Sequence, residues 1–560
     1  MKEIKKGFSV RAILCVGLLL SSIPGICLAV SATVEGSVTD NSGEAVAGAL
    51  VTLFSEDDLY SETVYTNLSG YYKITTNLTG KLHLRFRSPM FSDHRGDVVI
   101  DDGMILKNNI SLSTPNSQHE ISESFPANAY FSKLKFKDND ERAGFIMRCI
   151  GCHQIGSEIT RRERSKTEWN SLIQVMLDRI DVHDENLQKR YVELLSEAFD
   201  NSPVSGVAKP VVTSDILETH IREWKLPESL IGHDMIAHSD GKYYTVDMGA
   251  DKIYITNPVT NTTETVTIPD QGIELGGKIK YSHAAKRAIF ALTLHHGPHS
   301  LQEGPDGKIY TTDVVSARIG VFDPVSRQFS GYELPDGVVY PHTPRFDRLG
   351  TLWLTIGMSN QLGRIIPRTG EIKIIDLPEN DVTYPYGIDI NPKDGSVWYT
   401  QFTGNRIGRL DPKSLEVEEF EVNFTGPRRL RFDADGMLWI AGFSSGLLVK
   451  LNPVSMQFTE YVIPAPSPGK FETPYAVYVH PKTQDIWITA NISDHLYKFN
   501  SSEEQFIAYP LPTRGSYMRD LVLTQDGSLC GTSSPIPASA SEGGMQSLIC
   551  LAPNGFQSHP

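Results

Sequence analysis

Hydrophobic and polar positions follow three different patterns along the chain, and each pattern predicts a different kind of element. Residues 34–40 alternate between apolar and polar side chains before a turn at 41–43, and short strand-like runs recur at 49–53 and 68–74. A period of two, punctuated by Asn, Ser and Gly, is typical of strands joined by turns. We therefore predict that residues 33–113 form an all-β domain.

A helical pattern replaces this alternation between residues 141 and 200. Ser165 and Glu168 match a capping box, which predicts a helix start. Apolar side chains then recur on one helix face: Trp169, Leu172, Ile173, Met176, Leu177 and Ile180. A further helix is predicted from about Asp184, with inward side chains at Leu187, Tyr191, Leu194 and Leu195. The polar stretch 114–140 has little pattern and predicts a linker.

From residue 216 to residue 552, a turn followed by an apolar strand occurs seven times. The turns lie at Asp240, Asp306, Leu349, Asp394, Asp435, Asp485 and Asp526. A period of roughly 40 residues with several short strands is typical of propeller blades. The predicted fold is therefore multidomain and mainly β, with a sandwich, a small helical domain and a seven-bladed propeller. Extra residues around 271–290 predict an insertion or a loop in the propeller.

The helical segment carries the sequence Cys149-Ile150-Gly151-Cys152-His153. The pattern C-x-x-C-H is the attachment signature of c-type haem, in which two thiols bind the porphyrin and the imidazole ligates the iron. A redox dithiol and half of a zinc site are the alternatives. A zinc site needs two more ligands, and the other cysteines outside the first 29 residues, Cys530 and Cys550, are distant in sequence. We predict covalent haem c at Cys149, Cys152 and His153.

The second axial ligand of the iron stays open at the level of sequence. Met176 lies on the inward face of its predicted helix, and a thioether ligand would raise the reduction potential. The alternative is that Met176 is an ordinary core methionine. His183 and Met147 are further candidates, and an open sixth position is the remaining alternative.

The first residues of the chain match an export signal. Lys2, Lys5, Lys6 and Arg11 precede an apolar stretch that starts at Ile13, and small residues offer cleavage near Ala29. We predict a signal peptide at 1–29, no membrane span elsewhere, and a soluble mature protein in the periplasm or outside the cell. In that oxidising compartment Cys530 and Cys550 form either a disulfide or two buried thiols.

The charge of the chain limits its partners. The formal net charge is −15, and removal of the predicted basic signal makes the mature chain more acidic still. A strongly acidic surface argues against nucleic acid or an anionic membrane as the main partner. The expected partners are a redox protein or a small-molecule ligand.

The N-terminal β domain resembles the carboxypeptidase-regulatory-like β-sandwich. The residues that match the family pattern are Gly36, Val38, Asp40, Gly43, Gly48, Ala49, Val51, Leu53, Thr66, Gly70 and Tyr72. Ala45 stands where that family usually has proline. The resemblance implies a spacer or adhesive module, and we assign it no chemistry.

The other two domains also resemble known families. The C-x-x-C-H motif, a basic stretch and a W-x-x-x-x-x-x-M helix resemble the haem-binding domain of the quinohaemoprotein amine dehydrogenase type, which implies a small cytochrome c domain over 141–200. The segments 404–412 and 360–365 resemble the N-x-I-G-R-I repeat of the virginiamycin B (streptogramin) lyase family, a seven-bladed propeller. A repeat of this kind identifies a fold better than an activity.

The start of each blade supplies a candidate side chain to one mouth of the propeller channel. Reading the residue after the Pro or Gly at each start gives His233, His299, His342, Tyr386, Arg428 and Tyr475, with Tyr517 or Arg519 at the seventh place. One interpretation is a polar ligand pocket. The other is that these side chains plug and hydrate a narrow channel.

The lyase resemblance implies an elimination in which a histidine takes the proton α to a carbonyl and acidic groups hold Mg²⁺. His299, His342 and Tyr386 match the family's P-H, P-H and P-Y order and are the candidate catalytic residues. The acidic residues of that family have no such match in this sequence. Gly297 and Tyr340 stand where the family has a glutamate, and the family's other glutamate position reads Ile356, Gln401, Gly442 and Ala490, with carboxylates only at Asp247 and Asp313. Mg²⁺ is therefore not expected.

Three functions follow from these patterns. The first is an exported c-type haem protein in electron transfer, whose propeller binds a ligand or partner. The second is a propeller enzyme, either a haem-coupled oxidoreductase or a streptogramin-type C–O lyase. The third is an adhesive or scaffolding protein in which the haem is incidental.

Overall fold

The computed structural model describes residues 31–208, 212–282, 289–378 and 383–556, so the predicted signal peptide at 1–29 lies outside the described residues. The chain forms a β-sandwich, a group of helices and a seven-bladed propeller, in that order along the sequence. The multidomain, mainly β architecture predicted from the sequence is confirmed.

The sandwich contains eight strands. They are β1 (Ala32–Asp40), β2 (Leu50–Phe54), β3 (Tyr60–Tyr65), β4 (Tyr71–Thr76), β5 (Gly80–Arg87), β6 (His94–Ile100), β7 (Ile105–Lys107) and β8 (Ile110–Leu112). One sheet pairs β1 with β4, β7 and β8, and the other has the order β3-β2-β5-β6. Buried and half-buried side chains alternate along β1, because successive side chains of a strand point to opposite faces.

Five helices follow the sandwich. They are α1 (Gln118–Glu123), α2 (Ala127–Phe131), α3 (Asn139–Cys149), α4 (Lys166–Asp178) and α5 (Glu185–Ala198). The capping box predicted at the start of α4 is present, since Ser165 and Glu168 each bond the backbone of the other. None of the helices in the described ranges has the length and apolar run that crossing a membrane requires.

Residues 114–140 differ from the predicted linker. They contain α1 and α2, and Phe125, Tyr130 and Phe131 are buried in one core with side chains of α3, α4 and α5. Helices of five or six residues make fewer than two turns, so no helical period is visible in the sequence.

The propeller consists of seven four-stranded blades, as the seven repeats predict. Six are β10 (Gly232–Ala237) to β13, β14 (Pro298–Glu303) to β17, β18 (Pro341–Phe346) to β21, β22 (Pro385–Ile390) to β25, β26 (Pro427–Phe432) to β29, and β30 (Pro474–Val479) to β33. The three outer strands are Tyr243–Asp247, Lys252–Asn257 and Thr262–Thr267 in blade one, Ile309–Asp313, Arg318–Phe322 and Phe329–Glu333 in blade two, and Leu352–Ile356, Gln361–Ile366 and Glu371–Asp376 in blade three. They are Val397–Gln401, Arg406–Leu410 and Val417–Glu421 in blade four, and Leu438–Gly442, Leu447–Asn452 and Gln457–Val462 in blade five. In blade six they are Ile486–Ala490, His495–Asn500 and Gln505–Pro510.

The seventh blade closes the ring with strands from both ends of the domain. β34 (Val522–Leu523), β35 (Leu529–Ser533) and β36 (Ser547–Ala552) come from the C-terminal end, whereas the outer strand β9 (His220–Lys225) follows a short helix α6 (Ser214–Leu217) ahead of the first blade. β9 pairs with β36 on one side and with β3 of the sandwich on the other. The resulting sheet of eight strands is shared by the sandwich and the propeller.

The loop between β35 and β36 contacts both preceding parts of the chain. The carboxylate of Glu542 accepts hydrogen bonds from Arg87 at 2.7 and 2.8 Å and from Arg85 at 3.2 Å, both in the sandwich. Cys530 and Cys550 form a disulfide directly across β35 and β36, which settles the alternative that the sequence left open. The loop is therefore closed at its base by a covalent bond and held at its tip by an ion pair.

We predict that Glu542→Gln weakens the interface between sandwich and propeller above acidic pH. Burial alone would raise the pKa of Glu542, but the hydrogen bond from Arg87 and the charges of Arg85 and Arg87 lower it well below its usual 4.5. A carboxylate with a lowered pKa contributes stability above its unfolded-state value and loses it as pH falls. The thermal midpoint of the wild type should therefore fall with acidification more steeply than that of the variant.

The matched control is Glu421→Gln, which breaks an exposed pair with Arg406. Pairs of that kind contribute about 0–1 kcal/mol, so the control should follow the wild-type curve. Identical pH profiles for wild type and Glu542→Gln would contradict the prediction.

Candidate functional site

The predicted mouth residues do meet at the start of the inner strands. His233, His299, His342, Tyr386, Arg428 and Tyr475 are each the second residue of the inner strand of blades one to six. The seventh place is shared by Tyr517 and Arg519, which precede β34. Each of these eight side chains is at most 4% exposed. The sequence therefore predicts the positions of the mouth residues correctly. The structure adds that their side chains are almost fully buried.

Aromatic rings fill the mouth from one blade to the next. Ring centroids lie 3.7 Å apart for His233 and His299, 4.1 Å for His299 and His342, and 4.1 Å for His342 and Tyr386. The hydroxyl oxygens of Tyr386 and Tyr475 are 2.5 Å apart. Contacts of this kind agree with the plugged-channel interpretation for the conformation described.

The three histidines are held neutral. Burial lowers the pKa of His233, His299 and His342 well below the usual value, and the nearby arginine charges lower it further. Nδ1 of His233 lies 3.0 Å from Asp234, and Nδ1 of His342 lies 2.8 Å from the Thr343 hydroxyl. Within the described ranges, Nδ1 of His299 has no hydrogen-bond partner.

Three buried arginines accompany the rings. Arg429 pairs with Asp234 at 2.7 Å and with Asp520 at 3.1 Å, while Arg519 donates to the hydroxyl and carbonyl oxygens of Ser534. Sequence reasoning identified Arg428 and Arg519 but missed the ion pairs of Arg429. The signal in the sequence was the pair Arg428-Arg429. Adjacent strand residues point to opposite faces, so Arg429 needs a partner on the face that Arg428 does not occupy.

Arg428 lies in a cage of aromatic rings. Its guanidinium carbon is 3.5 Å from the ring centroid of Tyr475, 4.3 Å from Phe443, 4.9 Å from Phe402 and 5.0 Å from Tyr386. Nη2 donates to the Tyr386 hydroxyl at 3.1 Å, whereas Nε and Nη1 find no partner among the described residues. Ring faces attract a cation, but they do not neutralise it.

The C-x-x-C-H motif at residues 149–153 borders a separate cavity of about 320 Å³ in the helical domain. Both thiols, His153 and Met176 line this cavity, together with apolar side chains of α4 and α5. Four arginines also contribute to the lining: Arg148, Arg162, Arg164 and Arg179. Trp169 lines it too, and its buried indole N–H has no hydrogen-bond partner in the described part of the chain.

These residues fit a haem group. Apolar walls suit the porphyrin, and the cations and the unpaired indole N–H suit carboxylate groups such as its propionates. Among the candidates for the second axial ligand, only Met176 lines the cavity. His183 lies on the surface between Asp178 and Asp181, and Met147 is outside the lining.

The propeller makes two hydrogen bonds to the C-x-x-C-H motif and two to Gln154, the residue that follows the motif. The Tyr517 hydroxyl donates to the Ile150 carbonyl at 2.5 Å, and the Ile536 amide donates to the Cys152 carbonyl at 2.9 Å. The Gln154 side chain donates to Asp494 and to the Ser516 carbonyl, both at 2.7 Å. Ile536 also lines the cavity, so the last blade forms part of its wall. Contacts between such distant segments leave no local signal in the sequence.

The carboxylates considered for Mg²⁺ are occupied by protein contacts. Asp247 accepts the backbone amides of Leu230 and Ile231, and Asp313 lies 3.2 Å from His296. Over the described ranges, no group of three or more His, Cys, Asp or Glu side chains is arranged to hold a metal ion.

Comparison with known proteins identifies two domain families. Residues 285–469 match the Virginiamycin B lyase family, and residues 33–113 match the carboxypeptidase regulatory-like domain. No curated protein sequence matches the chain significantly. A streptogramin B lyase structure is 20% identical, covers 60% of this chain and 97% of its own, and has a TM-score of 0.49. A virginiamycin B lyase from Staphylococcus aureus is 19% identical, covers 60% and 99%, and has a TM-score of 0.48.

We expect Gln154→Ala to loosen the C-x-x-C-H motif at residues 149–153. The substitution removes two hydrogen bonds and leaves the buried Asp494 carboxylate with one donor fewer, and each unsatisfied buried group costs roughly 1–3 kcal/mol. Deuterium uptake at residues 149–153 should rise, as measured by hydrogen exchange. Gln174→Ala, which removes one exposed bond to Asp178, is the control and should leave uptake unchanged. Equal uptake in both variants would contradict the role of Gln154.

Proposed function

We propose that the chain is an exported c-type haem protein that carries electrons, and that its propeller is the platform that holds the haem-binding segment. The observation that carries this proposal is the cavity at Cys149, Cys152 and His153, which combines apolar walls, cations and an unpaired indole N–H. A c-type haem bound there supplies a reversible one-electron iron couple.

The residues of the cavity have separate roles in this proposal. Cys149 and Cys152 would form the thioether bonds, and His153 would be the proximal ligand of the iron. Met176 is the proposed sixth ligand, because it is the candidate that shares the cavity with His153. Burial lowers the pKa of His153, which favours the neutral imidazole that ligates metals.

The compartment proposed for this function is outside the cytoplasm. The disulfide between Cys530 and Cys550 is of the kind that persists in oxidising compartments, and covalent haem attachment takes place on that side of bacterial membranes. The signal-like sequence at 1–29 gives the same expectation.

A propeller enzyme is the second candidate, either a haem-coupled oxidoreductase or a C–O lyase. The adjacent rings of His299, His342 and Tyr386 favour it, together with the match of residues 285–469 to the Virginiamycin B lyase family. A substrate would have to displace part of the covering chain, because each of these rings is at most 4% exposed. Substrate-dependent reduction of the haem would favour the oxidoreductase. Metal-dependent linearisation of a cyclic depsipeptide, lost in His342→Ala, would favour the lyase.

We predict that the exported protein has an intact mass larger than its polypeptide by one haem. The Cys149→Ala, Cys152→Ala double variant should lack this addition after denaturation, because no thiol remains to form a thioether. Absorption spectra before and after dithionite would report the iron couple. A wild-type mass without the porphyrin addition would sink the proposed function.

We predict that Met176→Ala lowers the reduction potential of the purified haem protein. Loss of a thioether ligand removes the preference for the reduced iron that such a ligand provides. Met147→Ala is the matched control, since Met147 lies outside the cavity lining, and its potential should stay at the wild-type value. An unchanged potential in Met176→Ala would remove Met176 as the sixth ligand.

A further inference from the structure

The arginine cluster of the propeller mouth contains more positive than negative charge. Arg428, Arg429 and Arg519 are buried, and the carboxylates that bond them are Asp234 and Asp520, both on Arg429. The three histidines of the mouth cannot offset this positive charge, because an imidazole is either neutral or cationic, and their lowered pKa values favour the neutral form. An uncompensated buried cation costs several kcal/mol, so a further anion is expected in the cluster.

Tyr475 is placed to be that anion. Arg428 stacks on its ring at 3.5 Å, and the guanidinium carbons of Arg519 and Arg429 lie 5.9 and 6.0 Å from the ring centroid. The ionisable groups that interact with Tyr475 include Tyr340, Tyr384, Tyr386, Arg428, Arg429, Tyr517 and Arg519. The thiol of Cys152 lies close enough to interact with Tyr340, Tyr517 and Arg519. No carboxylate is among these groups.

The hydrogen bonds at the phenol also leave one proton without an acceptor. Nη1 of Arg519 donates to the Tyr475 hydroxyl at 3.5 Å, and Nη2 of Arg428 donates to the Tyr386 hydroxyl at 3.1 Å. The two hydroxyls share one bond of 2.5 Å, in which either can donate. Two phenol protons therefore have one acceptor position between them among the described contacts. Removing one phenol proton leaves the other phenol proton with an acceptor and supplies the missing negative charge.

We propose that Tyr475 is ionised at neutral pH in the folded protein, with Tyr386 donating to its phenolate, and that this pair is the proton-accepting site of the mouth. Burial alone would raise the pKa of Tyr475, but the charges of Arg428, Arg519 and Arg429 lower it, whereas burial raises the pKa of Tyr386. The phenolate oxygen has lone pairs that can accept a proton, which is why the pair is a proton-accepting site.

This site lies directly beneath the haem-attachment motif but does not depend on haem. The rings of Tyr475 and Tyr517 are 5.8 Å apart, and Tyr517 bonds the carbonyl of Ile150 between the two cysteines. The proposal concerns a proton-accepting group of the propeller, and its test is independent of whether electrons pass through the chain.

The experiment is an ultraviolet difference spectrum of the full-length protein at about pH 7, where an unperturbed tyrosine is protonated. Tyr475→Phe should lose one tyrosinate band relative to the wild type, with the haem in the same oxidation state in both samples. Tyr497→Phe is the matched control, because Tyr497 is also buried but donates to the Pro464 carbonyl and its pKa is raised. Identical wild-type and Tyr475→Phe spectra would overturn the proposal.

A second variant keeps the test decisive if Tyr475→Phe loses its circular dichroism. Tyr386→Phe removes the donor to the phenolate, so the pH midpoint of the tyrosinate band should rise, and an unchanged midpoint would overturn the proposal. Sodium formate tests the competing anion. If the wild type has no tyrosinate band, and formate raises its thermal midpoint but not that of Arg428→Gln, a solute anion neutralises the cluster and the proposal is wrong.

Discussion

The pairing of β9 with two different partners is the constraint on which the rest of the structure depends. β9 supplies the outer strand of the seventh blade through β36, and it joins the sandwich through β3. A strand that pairs on both sides leaves no exposed edge, and it locks the two ends of the propeller together. The sandwich therefore covers the outer edge of the blade that closes the ring. Blade seven, once fixed in this way, supplies Tyr517, Arg519 and Ile536 to the mouth and to the helical domain.

The helical domain in turn covers the propeller mouth and so determines how far water reaches its side chains. Its core is continuous with mouth side chains, because Tyr386, Phe443, Tyr475 and Tyr517 belong to the same apolar cluster as α3, α4 and α5. Covering the mouth removes water from the arginines and histidines, which lowers the pKa of the histidines and strengthens every remaining charge interaction. The attachment motif is held by the same contacts. The mouth and the cavity at Cys149, Cys152 and His153 are thus two adjacent sites that share one wall.

The sequence was sufficient for the periodic features and insufficient for the contacts between them. Seven turns predicted seven blades, the capping box at Ser165 and Glu168 predicted the start of α4, and one register predicted the mouth residues. The eight-stranded sheet could not be predicted, because local periodicity indicates where a strand lies but not that β3 pairs with the distant β9. The hydrogen bond from Gln154 to Asp494 could not be predicted for the same reason. Helices α1 and α2 were missed because they are too short to complete a helical period.

The mouth also shows that residue types placed as in a known family need not carry out the chemistry of that family. His299, His342 and Tyr386 have the order expected from the lyase resemblance, but proton abstraction from an external substrate requires access and a charge to stabilise the product anion. Here the rings are covered, and the neighbouring carboxylates bond the backbone and an arginine. What the mouth retains is positive charge without a matching carboxylate. A phenolate within the protein would neutralise this positive charge without a bound anion. Any anion that entered the mouth would then compete with the phenolate for Arg428.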